Sequence, residues 1–233
     1  MKVLFVGTSG FPDSKTATVS RLRSLIHEML AAGFSVQVLN NLPGANHPSA
    51  DGLEVRSLPD YGGPRLLRRL LAVAWELGQL MRLAPQAGAL HVYTQSLPWT
   101  LVYLLAGQLS RTRVVLHYVE LRSRIEGAKS VWKRWNDRLL DGRLLRRFDA
   151  VIAISTRLRD HVAAIAPGVP CLIVPPVCDF DAVEHIAPVS RDRPYFVYCG
   201  SVAYRDVIVF VQEAWALSRA RSEVDLVLVL GGK

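Results

Sequence analysis

Cysteine is scarce: Cys171, Cys178 and Cys199 are the only three in 233 residues. An odd count with no Cys-x-x-Cys or Cys/His spacing excludes a disulfide framework and a ligand set for a metal, so reduced, buried cytosolic thiols are expected. No stretch of 18 uncharged apolar residues occurs, and no membrane span is expected. The opening MKVLFVGTSG runs straight into a strand-like segment without the apolar region and cleavage site of a signal peptide, which predicts a cytoplasmic chain. The Gly-x-Gly-x-x-Gly dinucleotide fingerprint is missing as well, and Asn40 and Asn41 stand where a ribose-binding carboxylate would follow the second strand. A nicotinamide-dependent oxidoreductase is therefore the weakest of the candidate classes. No Ser/His/Asp set or paired nucleophile is visible.

What is present suits a sizeable core, with 50% of residues hydrophobic and 21% charged. The length falls between one and two ordinary domains. The formal net charge is +8, and residues 111–147 hold nearly all the excess, with eleven basic and four acidic residues. So concentrated a positive field favours an anionic partner, whether nucleic acid, phospholipid or a phosphorylated substrate.

Short β-branched runs at 2–7, 34–39, 53–58, 89–93, 113–118, 150–155 and 171–175 alternate with segments of helical period. In the first such segment Val19, Leu22, Leu25, Ile26, Met29 and Leu30 share one face ahead of Gly33, a helix stop. The alternation predicts an α/β fold: a Rossmann-like parallel sheet with helices on both faces, binding ligands at the carboxyl ends of its strands. Pro-rich and acidic residues then interrupt the pattern. The expected organisation is a domain at 1–176, a linker at 177–193, and the first βαβ unit of a second Rossmann-like domain at 194–233; two strands and one helix bury no core alone, so this unit is either cut short, the favoured reading, or packed onto the first sheet.

Three strand ends offer candidate sites. The turn Gly7-Thr8-Ser9-Gly10-Phe11-Pro12 leads into a helix near Thr16, and its glycines either admit a ligand to the backbone or simply close a tight turn. At the end of the fourth strand stand Tyr93 and Gln95, the better candidates for ligand contact, with His91 read as a core histidine. The strand VVLHYVE finishes in His117 followed by Glu120; the imidazole either bonds a sugar hydroxyl or phosphate, or is structural.

The order GTSGFP, AAGFSVQVL, ALHVYTQ, VVLHYVEL, FDAVIAISTRLRDHV, CLIVPPVCDFD and YFVYCGSVAYRDVIVFVQEAW resembles the amino-terminal half and first carboxyl-terminal unit of a family 4 glycosyltransferase with the GT-B fold. The resemblance implies sugar transfer from a nucleotide-sugar donor to a saccharide or lipid-linked acceptor. It implies retention of configuration, no metal and no cofactor, no nucleic-acid partner, and a place in polysaccharide or glycolipid synthesis. By position, His117 matches the family histidine near the donor sugar and Gly10 the loop facing the cleft, with Lys15-Thr16-Ala17 in place of the family's frequent double glycine. Gly200, Ser201 and Arg205 match the turn that meets the donor diphosphate. The family's Glu-x7-Glu segment would lie beyond Lys233, so this chain alone is expected to be inactive.

Two segments carry amphipathic charge. Over 65–82, Arg65, Arg68, Arg69, Glu76 and Gln79 fall on one arc and Leu66, Leu67, Leu70, Val73, Leu77 and Met81 on the other, which predicts a helix packed on the sheet by its leucines. Over 121–147, basic residues including Lys133 and Arg134 surround Trp132 and Trp135. That pattern suits either peripheral docking on an anionic membrane or a solvated helix with its tryptophans turned inward. A non-catalytic Rossmann-like module that binds a membrane or a partner is the alternative to the transferase.

Overall fold

The computed structural model describes residues 1–14, 16–43, 47–94, 96–121, 123, 130–176, 191–202 and 205–231. Cys178, Gln95 and most of the anticipated linker lie outside them. The chain divides into two compact units, Met1–Asp179 and Phe180–Lys233.

The first unit is built on an eight-stranded sheet. Its strands are β1 (Lys2–Thr8), β2 (Ser35–Pro43), β3 (His47–Ala50), β4 (Leu53–Leu58), β5 (Ala89–Val92), β6 (Arg113–Tyr118), β7 (Ala150–Ala153) and β8 (Cys171–Ile173). Their spatial order is β3-β4-β2-β1-β5-β6-β7-β8. All pair in parallel except β3, which runs antiparallel on β4 at the edge. The central strands are apolar on both sides because both faces are covered. Leu4, Val6, Leu90, Val92, Leu116 and Val151 belong to one core, and Val3, Phe5, Val36 and Val38 to the other.

Helix α1 (Ala17–Ala31) starts where the Thr16 side chain accepts a hydrogen bond from the Val19 amide, and it ends before Gly33. It covers the second core with Val19, Leu22 and Ile26, each burial of a large aliphatic contributing about 1.5–3 kcal/mol. Helices α2 (Arg65–Leu83), α3 (Leu97–Ser110) and α5 (Thr156–Ile165) supply Leu80, Leu83, Tyr103, Leu158 and Val162 to the first core. Helix α4 (Val131–Leu140) is capped by Ser130, whose hydroxyl accepts from the Lys133 amide at 3.2 Å.

Helix α2 reverses the sequence expectation. Its leucine arc faces outward, with Leu66 70%, Leu70 60% and Met81 52% exposed, while Glu76, Leu80 and Leu83 are the buried positions. The inward carboxylate is tolerated because the Tyr103 hydroxyl donates to Glu76 Oε1, and Arg56 reaches across to Gln79 at 3.0 Å. The tryptophans of α4 do not turn inward either, since Trp132 and Trp135 are exposed with rings 5.1 Å apart.

The second unit holds β9 (Tyr195–Ser201) and β10 (Asp225–Gly231), paired in parallel through α6 (Arg205–Leu217). Cys199, expected to be buried, is exposed, because a two-stranded sheet leaves a face uncovered; Cys171 is half-buried.

Candidate active site

The chain moves from β1 outward to β2 and β4, then returns to place β5 on the other flank of β1. That reversal makes a topological switch point, and a crevice opens beyond the carboxyl ends of β1 and β5. The two strand ends approach closely. Gly7 has φ +71°, and a Cβ there would lie 2.7 Å from the Thr94 amide nitrogen. Gly10 has φ +73° with Ser14 filling the space of its missing side chain, so both glycines serve close chain packing. Asn40, 2% exposed, pins the turn to β2: its Oδ1 accepts from the Gly10 amide at 2.8 Å, and its Nδ2 donates to the Phe11 carbonyl and Ser57 Oγ.

A cavity of about 570 Å³ lies at this edge. Ser9, Thr16, Thr18, Thr94 and Ser96 line one part, and Trp132, Lys133, Asn136 and Asp137 of α4 close the other. Asn136 Oδ1 also accepts from the Leu97 amide at 2.8 Å, which fixes α4 against the start of α3. Five Ser and Thr residues, a lysine and a tryptophan in one lining suit a polyhydroxylated ligand, whose hydroxyls find polar partners and whose polarised C–H bonds suit an electron-rich ring. A second cavity of about 580 Å³, between Leu101, Leu105, Arg111 and Arg147, lies instead where β6 and β7 begin, away from the converging strand ends.

Beneath the crevice sits an aromatic cluster. His117 Nε2 and His91 Nδ1 are 2.8 Å apart, so one ring donates and the other accepts, and Tyr93 stacks on His117 at 4.1 Å. Burial pushes His91 down to about 4. It also holds His117 well below its usual value, aided by the repulsion between protons on the two adjacent imidazoles and by the Arg21 charge. Both imidazoles are therefore neutral at pH 7. Burial likewise raises the Tyr93 phenol to about 12, partly offset by Arg21.

His117 does not meet the sequence expectation of a direct contact. Its side chain is 0% exposed, enclosed by Phe5, His91 and Tyr93, and presents no surface to a sugar in this structure. Its Nδ1 has no hydrogen-bond partner among the described residues. Tyr93 and Thr16 do reach the cavity wall, as do Trp132 and Lys133. Gly10 belongs to the adjoining turn, Glu120 lies on exposed chain beyond β6, and Arg134 is exposed on α4. In the second unit, Gly200 and Ser201 end β9 and an exposed Arg205 opens α6; the Tyr198 ring fills the space where Gly200 lacks a side chain.

Arg21 had no signal in the sequence. It is 6% exposed, donates to Tyr93 Oη at 3.3 Å and to the Val174 carbonyl at 2.9 Å, and so joins α1, the end of β5 at its following residue, and the chain after β8. Asn136 was missed for the same reason, since a polar residue on a basic helix reads as solvated.

A family model for the glycosyl transferase 4-like domain matches residues 16–176. Comparison with curated proteins gives no match. Among solved structures, sucrose-phosphate synthase from Thermosynechococcus elongatus is similar at TM-score 0.66 and 15% identity, over 100% of this chain and 63% of that one. HepE from Anabaena, solved with UDP, gives 0.57 and 12% over 100% and 70%. The lipopolysaccharide outer core galactosyltransferase WaaB, in its apo form, gives 0.55 and 15% over 100% and 62%. The chain thus spans less than two thirds of the synthase and of WaaB, and the likeness is one of fold, the GT-B fold of these glycosyltransferases. Because the model match extends over more than half of the chain, from the start of α1 through β8 and with most of the cavity lining, the chain belongs to the glycosyl transferase 4-like domain family.

Proposed function

We propose that this chain takes part in sugar transfer from a nucleotide sugar to a hydroxyl of a saccharide or lipid-linked acceptor. The observation that carries this reading is the cavity at the β1/β5 switch point, lined by five Ser and Thr residues with Trp132 and Lys133, most of whose lining lies in the stretch matched by the family model. Residues 1–176 act as the acceptor side, 177–193 as the linker, and 194–233 as the start of the donor side, where Gly200, Ser201 and Arg205 meet the diphosphate. A guanidinium at Arg205 would bond phosphate oxygens in pairs. HepE, solved with UDP, supports a uridine nucleotide as the first donor to try.

In the transfer, an acceptor hydroxyl oxygen bonds to the anomeric carbon as the bond to the diphosphate breaks. The hydroxyl proton leaves with the departing phosphate oxygen on the same face, so configuration is retained without a metal. The protein's share is orientation and charge stabilisation. His117 acts as a positioning residue: it stacks on Tyr93, which faces the cavity. The reaction belongs to polysaccharide or glycolipid synthesis at the cytoplasmic face of an anionic membrane.

Equilibrium titration of oligosaccharides and UDP-sugars into the chain, read by tryptophan fluorescence, tests the reading. Saccharide binding that weakens at least tenfold in Trp132→Ala is expected, and glycoside formed in the presence of EDTA would add the chemistry. A chain that binds neither saccharide nor nucleotide sugar refutes it.

A further inference from the structure

Helix α2 presents an apolar stripe to solvent for most of its length. Leu66, Leu70, Val73, Leu77 and Met81 recur every three or four residues, which stacks them along one side over about 22 Å. All five are exposed. On the helical wheel, Arg69 lies about 40° beyond Val73 on one side; on the other, Leu67 and Leu71, also exposed, widen the apolar face as far as Arg82, and Arg65 and Arg68 add charge in the first turns. Every residue from Arg65 to Leu71 is exposed, so the start of α2 stands clear of the sheet.

The neighbouring helices continue the pattern. Helix α3 contacts α2 and α4. It exposes Leu101, Leu105 and Leu109 at a spacing of four, and α4 exposes Val131, Trp132 and Trp135 beside Lys133, Arg134 and Arg138. The only carboxylates on the three helices are Glu76 and Asp137, and both are buried. Every exposed charge on them is positive.

We infer that α2 is the principal surface by which the protein docks on an anionic lipid bilayer, lying in the headgroup plane with its leucines in the acyl boundary. An apolar stripe edged by arginines matches that medium: methylene-rich beneath, negative at the rim. Self-association fits worse, since a two-fold interface would set arginines against arginines with no exposed acid to pair them. The inference gives a surface to the membrane location proposed above and assigns the leading part to α2 rather than to the tryptophans of α4.

Flotation of the full chain with vesicles, in the absence of any nucleotide sugar, tests it independently of sugar transfer. Phosphatidylcholine vesicles are compared with others containing about a third phosphatidylglycerol, at low and at high salt. Binding to the anionic vesicles that weakens with salt is expected. Leu70→Ser/Leu77→Ser should lower it more than tenfold, and Arg69→Gln/Arg82→Gln by about 25-fold, from roughly fivefold per arginine near an anionic surface. Arg23→Gln, on α1 at the opposite face of the sheet, should leave it unchanged. The inference is overturned if the chain does not float. It is also overturned if both α2 variants float like the parent while Trp132→Ser/Trp135→Ser does not, or if sedimentation shows a dimer that Leu70→Ser/Leu77→Ser disperses without any vesicle binding.

Discussion

Lowering the pH from 7 to 5 is expected to weaken the first unit through its histidine pair. An unfolded imidazole titrates near 6.5, whereas burial holds folded His91 at about 4. Between those values the unfolded chain takes up a proton that the folded chain refuses, so stability falls as the pH falls. For His91 alone the loss is about 2 kcal/mol between pH 7 and 5, approaching about 3 kcal/mol once the pH passes below 4. His117 acts in the same direction, because its folded value is lowered too. A unit of this size loses about 2–4 °C of Tm per kcal/mol, so a fall of at least about 4 °C is expected. Thermal unfolding followed by circular dichroism at pH 7, 6 and 5 measures it, with His91→Phe as the comparison. That variant should be less stable at pH 7 by about 1–3 kcal/mol, since His117 Nε2 loses its partner, yet its Tm should fall less steeply with acid. A parent Tm that stays flat from pH 7 to 5, or an equal slope in the variant, would refute the picture of a buried neutral pair.

Removing the polar pin of the first turn by Asn40→Ala strands the Gly10 amide and should cost about 2–3 kcal/mol in urea unfolding. In Gly107→Ala the new methyl would lie 2.2 Å from Val114 Cγ2, and overpacking predicts a loss of about 1–3 kcal/mol with a lower urea midpoint. Glu76→Gln keeps an acceptor for the Tyr103 hydroxyl and removes a carboxyl that burial already pushes upward. Its Tm at pH 7 should hold or rise, and a loss above about 2 kcal/mol would show that the ionised carboxylate is itself stabilising.

The parallel strands were legible because burial on both faces turns each into an unbroken apolar run, as in Val3–Val6 and Val114–Leu116. Strand β3 was not, since its sequence His-Pro-Ser-Ala has no apolar run, and it pairs only at an edge. For α2 the periodicity disclosed an amphipathic helix but not which arc meets the sheet, a choice made by Glu76, Leu80 and Leu83 in the folded chain. The turn after β1 and the place of Tyr93 and Thr16 followed from the rule for strand ends. The burial of His117 did not, because it depends on Phe5, His91 and Arg21 converging from three other elements.

The Tyr103 hydroxyl on Glu76 and the Arg56 guanidinium on Gln79 together fix the roll of α2 about its own axis. Its leucines cannot swing inside to hide when no lipid is near, so attachment requires no melting, uncapping or release of a latch. The docking inferred above is then expected to be constitutive, set by how much anionic bilayer is within reach, and the far-ultraviolet spectrum of the chain should be the same free and attached.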